Sequence, residues 1–236
     1  MKPSLVLCPG LMCDAAVWTP QVQALSDVVD CCVMDYGLRD TLTDMVQQVL
    51  ASAPAGRFAL AGHSMGGRVA LEVVRMAPER VERLALMDTG THPLAAGEAG
   101  DKERAGRMAL LAMAQTQGMR AMGAQWLRGM VHPDVLGTPL FESILDMLER
   151  SNPAQFAAQI NALLTRPDAA PVLPDISCPT LLLTGEQDVW SPPAQHAAMA
   201  ETIAGAQLRI IANSGHMSTM EQPEAVAQAM REWLES

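Results

Sequence analysis

The hexapeptide Gly62-His63-Ser64-Met65-Gly66-Gly67 narrows the folds open to this chain more than any other stretch. It follows a short apolar run, residues 57–61, and precedes a helical pattern that reaches Ala77 and stops at Pro78. G-x-S-x-G between a strand and a helix is the context of a sharp turn that lifts a serine hydroxyl clear of a sheet. Such a turn strains the backbone at the serine, so the positions two before and two after it have no room for a Cβ. Gly62 and Gly66 meet that demand. The first amides of the following helix then point at the reacting centre, where an oxyanion can be held. Without that setting GHSMGG would be only a glycine-rich turn.

The rest of the chain alternates strand and helix around this turn. Residues 5–8, 28–34, 81–87, 180–183 and 208–211 read as strands, and 14–25, 43–51, 194–204 and 225–234 as helices. Continuous apolar runs are the mark of strands buried on both faces. In the helix after the serine, Ala70, Val73, Val74 and Ala77 fall at i, i+3, i+4 and i+7, so one face packs on the sheet. The alternation predicts an α/β fold, a parallel sheet covered by helices on both sides. One segment departs from it. Residues 92–166 carry only helical patterns, at 102–118, 121–130, 140–150 and 153–164. Too long for a loop, they read as a helical insertion within a single domain spanning 1–236. A roof lined by Met113, Met119 and Met122 of this insertion would be apolar and adaptable, although methionine also serves as ordinary core filling.

Composition removes several classes of function. With 236 residues, 49% of them hydrophobic, the chain has enough material for one full core. A net charge of −10 argues against a nucleic-acid partner, which would need clustered Lys and Arg. No run is long enough to span a bilayer, and no signal peptide precedes the first strand. Five cysteines without a C-x-x-C spacing read as buried thiols in a reducing cytoplasm. Neither a metal site nor a cofactor is implied.

Four motifs carry a resemblance. Cys8-Pro9-Gly10-Leu11 turns the chain after the first strand, and the Gly62–Gly67 turn follows the third. Thr184-Gly185-Glu186-Gln187-Asp188 follows the penultimate strand and Ser214-Gly215-His216 the last. Along essentially its whole length the chain resembles the α/β-hydrolase family, in which nucleophile, acid and histidine occur in this order. The family's usual sheet begins with two strands that this chain lacks. The resemblance therefore implies a six-stranded, all-parallel, doubly wound sheet in the order 2-1-3-4-5-6. The insertion at 92–166 would be a helical cap between strands 4 and 5.

The same resemblance assigns roles, and chemistry gives each a reason. Ser64 is a poor nucleophile at neutral pH and needs a base, His216, within reach. The histidine needs a carboxylate on its other nitrogen, and Asp188 is the choice. Asp88 is its rival, because some members of the fold place their acid after the fourth strand. Asp88 also has a reading as a helix cap at the start of the insertion, whereas Ser191 and Pro192 begin the helix after Asp188 themselves. The backbone amides of Met65 and Leu11 would form the oxyanion hole. Relatives usually read His-Gly-x where Cys8-Pro9-Gly10 stands, a change that leaves a backbone donor available. His63, Trp126 and Trp190 are candidates for the pocket wall, and His92 and His132 read as structural.

The function so implied is cofactor-free hydrolysis of a small-molecule ester or lactone through an acyl-enzyme, as in carboxylesterases and enol-lactonases. Two alternatives remain. Gly66-Gly67-Arg68 with His92-Pro93-Leu94 resembles the 2-succinyl-6-hydroxy-2,4-cyclohexadiene-1-carboxylate synthases. Those lyases abstract a proton with the same triad and bind carboxylates with arginines, but commonly have tyrosine where His63 stands. Some other relatives serve as small-molecule receptors even with a triad.

Overall fold

A computed structural model of the protein describes residues 2–236. Strands β1 (Ser4–Cys8), β2 (Asp30–Val33), β3 (Phe58–His63), β4 (Val81–Met87), β5 (Thr180–Gly185) and β6 (Gln207–Ile211) form one sheet. Its order is β2-β1-β3-β4-β5-β6 and every neighbouring pair is parallel, as the family resemblance implies. β3 and β5 are buried at every position, which is what helices on both faces of a sheet require. The edge strands β2 and β6 are partly exposed.

Before the insertion lie α1 (Thr19–Ala24), α2 (Leu42–Ser52) and α3 (Met65–Met76). The helix expected over 14–25 is broken in two. A 3-10 turn at Ala15–Trp18, capped by Asp14 accepting from the Ala16 amide at 2.8 Å, precedes α1. Pro20 in the first turn of α1 has no N–H to continue a longer helix. Strand β2 is also shorter than its apolar run, because the Val28 and Val29 amides bond back to Leu25 O. α3 buries Val69, Ala70, Leu71, Val73 and Val74, and α2 packs beside it.

Between β4 and β5 run α4 (Glu98–Gln117), α5 (Met119–Trp126), α6 (Pro139–Glu149) and α7 (Pro153–Leu164), with no strand among them. The two stems of this insertion meet, the Ala169 amide donating to Thr91 O at 2.9 Å. α5 lies so close on α6 that a Cβ on Gly123 would stand 3.2 Å from Leu145 and 3.3 Å from Leu148. The chain closes with α8 (Pro193–Thr202), the single turn α9 (Ser218–Glu221) and α10 (Pro223–Glu235). Among the described residues no helix is long and apolar enough to cross a membrane.

Candidate active site

The turn after β3 is as tight as its glycines suggest. Ser64 has φ 55°, in the region side chains avoid. A Cβ on Gly62 would sit 2.3 Å from Gly66 O, and one on Gly66 2.0 Å from Cys8 O. The serine is anchored from β4, its amide donating to Met87 O at 2.8 Å and its carbonyl accepting from Thr89 Oγ1 at 2.7 Å. Met65 begins α3, so its amide has no partner within the helix's own ladder.

Ser64, His216 and Asp188 form an unbroken hydrogen-bonded chain. Ser64 Oγ is 2.8 Å from His216 Nε2, and His216 Nδ1 is 2.8 Å from Asp188 Oδ2. The other Asp188 oxygen accepts from the Trp190 and Ser191 amides at 2.8 and 2.9 Å. Burial opposes ionisation of Asp188, yet the charge and hydrogen bond of His216 and these amides hold its carboxyl below the usual aspartate value. At His216 burial works against the imidazolium, but Asp188 outweighs it and lifts the ring above the usual histidine value.

Asp88 lies behind this chain and does not bond the His216 ring. Its Oδ1 accepts from the Gly185 amide at 3.0 Å and its Oδ2 from Ser218 Oγ. Burial, then the charge of Asp188, pushes its carboxyl well above the usual range. The helix-cap reading of Asp88 fails, because α4 begins at Glu98, well beyond it. His63 Nε2 donates to His216 O at 2.8 Å, and burial, then His216, pushes its ring down to about 4, so it is neutral.

A cavity of about 100 Å³ opens at Ser64 and His216, walled by Leu11, Met65, Arg68, Arg107, Trp126, Leu163 and Trp190 among others. It shares Leu11, Arg107, Trp126 and Trp190 with a larger room of about 500 Å³, to which Leu110 and Phe156 add apolar surface. The aromatic rings form a continuous wall, with Trp190 5.3 Å from His216 and 5.4 Å from Trp126, centroid to centroid.

The alpha/beta hydrolase family profile matches residues 5–229 of the sequence. The chain belongs to this family. Similar proteins include the pimeloyl-[acyl-carrier protein] methyl ester esterase of Nitrosomonas europaea, 28% identical over 94% of this chain and 92% of that one. The 2-hydroxy-6-oxononadienedioate/2-hydroxy-6-oxononatrienedioate hydrolase of Escherichia coli is 25% identical over 86% of this chain and 71% of that one. A solved thermophilic esterase from Thermogutta terrifontis, with malate bound, is 28% identical with a TM-score of 0.87, covering 100% of this chain and 90% of its own. The relatives are hydrolases of differing substrates, so the pocket must distinguish this alpha/beta hydrolase from them.

That pocket differs from the expected one. Met119 and Met122 are buried inside the insertion and Met113 is half-buried against its core, and none of them lines the cavity. α5 is packed on both α4 and α6, with Gly123 against Leu145 and Leu148, and of its side chains Trp126 lines the cavity at Ser64. His63 is likewise not a wall residue but lies beneath His216. Two arginines take their place. Arg68 Nη1 donates to His92 O at 2.9 Å, and among the described residues no carboxylate bonds it. Arg107 and Arg166 share the Glu103 carboxylate. Burial, then Arg166, lowers the Arg68 guanidinium to about 9, which leaves it a cation at neutral pH. Arg107, Leu163 and Phe156 were not distinguishable in sequence from other helix residues. Gln159 of α7 was also missed; its Oε1 accepts from the Met12 amide at 2.7 Å and holds the turn that presents Leu11.

Proposed function

We propose that this alpha/beta hydrolase cleaves a small carboxylic ester or lactone through an acyl-enzyme on Ser64, with a carboxylate elsewhere on the substrate. The observation that carries the reading is the Ser64–His216–Asp188 chain, with both hydrogen bonds at 2.8 Å. Ser64 Oγ attacks the carbonyl carbon as its proton passes to His216 Nε2. Asp188 keeps the Nδ1–H tautomer and stabilises the imidazolium. The Met65 and Leu11 amides receive the developing oxyanion. His216 returns the proton to the leaving alkoxide, and a water then releases the acid by the same route in reverse. The helical insertion acts as the cap, supplying Arg107, Trp126 and Leu163 to the wall.

The carboxylate is argued from charge. Arg68, half-buried and hydrogen-bonded to a carbonyl, stands with Arg107 and Arg166 around the single Glu103 carboxylate, so positive charge is in excess and an anionic ligand in the cavity balances it. The Escherichia coli relative is named for a dioate, which is consistent with that chemistry. The test is a panel of neutral esters, half-esters of dicarboxylic acids, lactones and amides, with Ser64→Ala as the blank. Turnover that survives in Ser64→Ala rejects the reading. Ligand binding without turnover by any member of the panel favours the receptor alternative instead.

A further inference from the structure

Glu221 is a buried acid for which the reaction above has no use. It ends α9, the single turn that begins two residues after His216. Its Oε1 accepts from the Gly215 and Met217 amides at 3.1 and 3.0 Å. Its Oε2 accepts from Gly215 at 3.1 Å and from the His132 amide of the insertion at 2.7 Å. One carboxylate thus gathers the amides on either side of His216 and a third from a segment 89 positions earlier in the chain. Burial pushes its carboxyl above the usual glutamate value, while the N–H bonds to both oxygens work the other way and favour the ionised form.

The same junction is closed by backbone contacts. The His216 amide donates to Met130 O at 2.6 Å. A Cβ on Gly215 would lie 2.4 Å from Met130 O and 2.8 Å from His132 N, so the insertion rests directly on the loop of the base. A one-turn helix has almost no stability of its own. The backbone of His216 must therefore be held from outside if its ring is to stay in line with Ser64.

We propose that Glu221 is a positioning residue that fixes His216 against Ser64 and fastens it to residues 130–132 of the insertion. The inference rests on the reading of Ser64, His216 and Asp188 as the reacting set. Other ionisable groups surround His216. Asp188 bonds its Nδ1, and the His63 ring lies 5.5 Å away. Asp88 stands behind through Ser218 and His63, His196 lies within reach of the charges of Asp188 and His216, and His132 meets Glu221 through its backbone amide. Among these Glu221 contributes a negative charge that favours the imidazolium.

The test is Glu221→Gln in the full chain. Gln keeps the volume but offers one acceptor oxygen and an NH2 group, so at least one of the three amides loses its partner. A displaced base is expected to cut kcat about 10- to 100-fold with KM within about threefold. The acidic limb of the kcat/KM profile should move to lower pH, because His216 loses a nearby negative charge. Glu221→Asp keeps the charge and shortens the reach, and should lower kcat while leaving that limb in place. A folded Glu221→Gln with kcat within about twofold of wild type overturns the proposal. So does a lower Tm with neither kcat nor the limb moved. Should Glu221→Gln not fold, unchanged kcat in Glu221→Asp overturns it. Fluorophosphonate labelling separates the two levels. No label on Ser64 of the wild type refutes the hydrolase reading, whereas equal labelling rates in wild type and Glu221→Gln refute only the role of Glu221.

Discussion

Asp88 and Asp188 follow neighbouring strands of the sheet, and only Asp188 bonds the His216 ring: its Oδ2 stands 2.8 Å from His216 Nδ1. Asp88 faces Gly185 N and Ser218 Oγ instead.

Exchange of the two acids for Asn should therefore give unlike results. Asp188→Asn leaves His216 with the wrong tautomer and should lower kcat about 10⁴-fold with little change in Tm. Asp88 bonds Gly185 N and Ser218 Oγ rather than the His216 ring, so Asp88→Asn should keep kcat within about tenfold. Steady-state kinetics and thermal melting of both variants check this. The reverse ranking would move the acid to Asp88.

Activity should fall on the acid side at an unusually high pH. The proposed base, His216, works only when neutral, and Asp188 raises its pKa above the ordinary histidine value near 6.5. As pH drops through that raised pKa the base is lost, so the midpoint of the kcat/KM limb should lie above about 6.5. Asp188→Asn should bring the limb down. A wild-type midpoint well below 6 contradicts the assignment of His216 as base.

Stability should change with pH in the opposite region. His63 and His196 are buried, and burial lowers both rings to about 4. Above about 6.5 both states are neutral and folding keeps its full stability; between 6.5 and 4 the unfolded chain takes up protons that the native rings refuse. Stability is therefore lost as pH falls through this window, by roughly 3 kcal/mol per ring on completion. Urea unfolding at pH 7, 6 and 5 should show a shallower loss in His196→Gln than in wild type. Identical slopes would mean that burial does not lower the His196 ring.

Arg68 should matter to charged substrates alone. Arg68→Met is expected to raise KM for a half-ester of a dicarboxylic acid about 10- to 100-fold, the worth of a charged hydrogen bond. A neutral ester of equal length should change less than threefold. Equal effects on both would assign Arg68 to the architecture of the cavity.

The sequence made the turn at Ser64 and its three companion loops legible because their constraints are local. The glycines flanking Ser64 are dictated by contacts within five residues and one neighbouring strand, and the strand runs show their burial as apolar continuity. Met119 and Met122 are apolar in any setting, so residue type left open whether the cavity or the interior of the insertion takes them, which tertiary packing decides. Glu221 and Gln159 escaped for another reason. Each bonds backbone amides, at separations of 89 and 147 positions, and an amide leaves no residue type to recognise. Pro20 could have warned that the helix over 14–25 is interrupted, since its missing N–H was in plain view.

The paired stems of the insertion, with Ala169 N on Thr91 O, also say how such a chain can change over time. A segment that leaves and rejoins the sheet at one point can lengthen or shrink without displacing a strand, since doubling a closed loop costs only about 0.6 kcal/mol in chain entropy. A roof of different size could be grafted at 91 and 169 to give a new substrate range. The graft would have to bring its own carbonyl to the place of Met130, or the amide of His216 would be left without an acceptor.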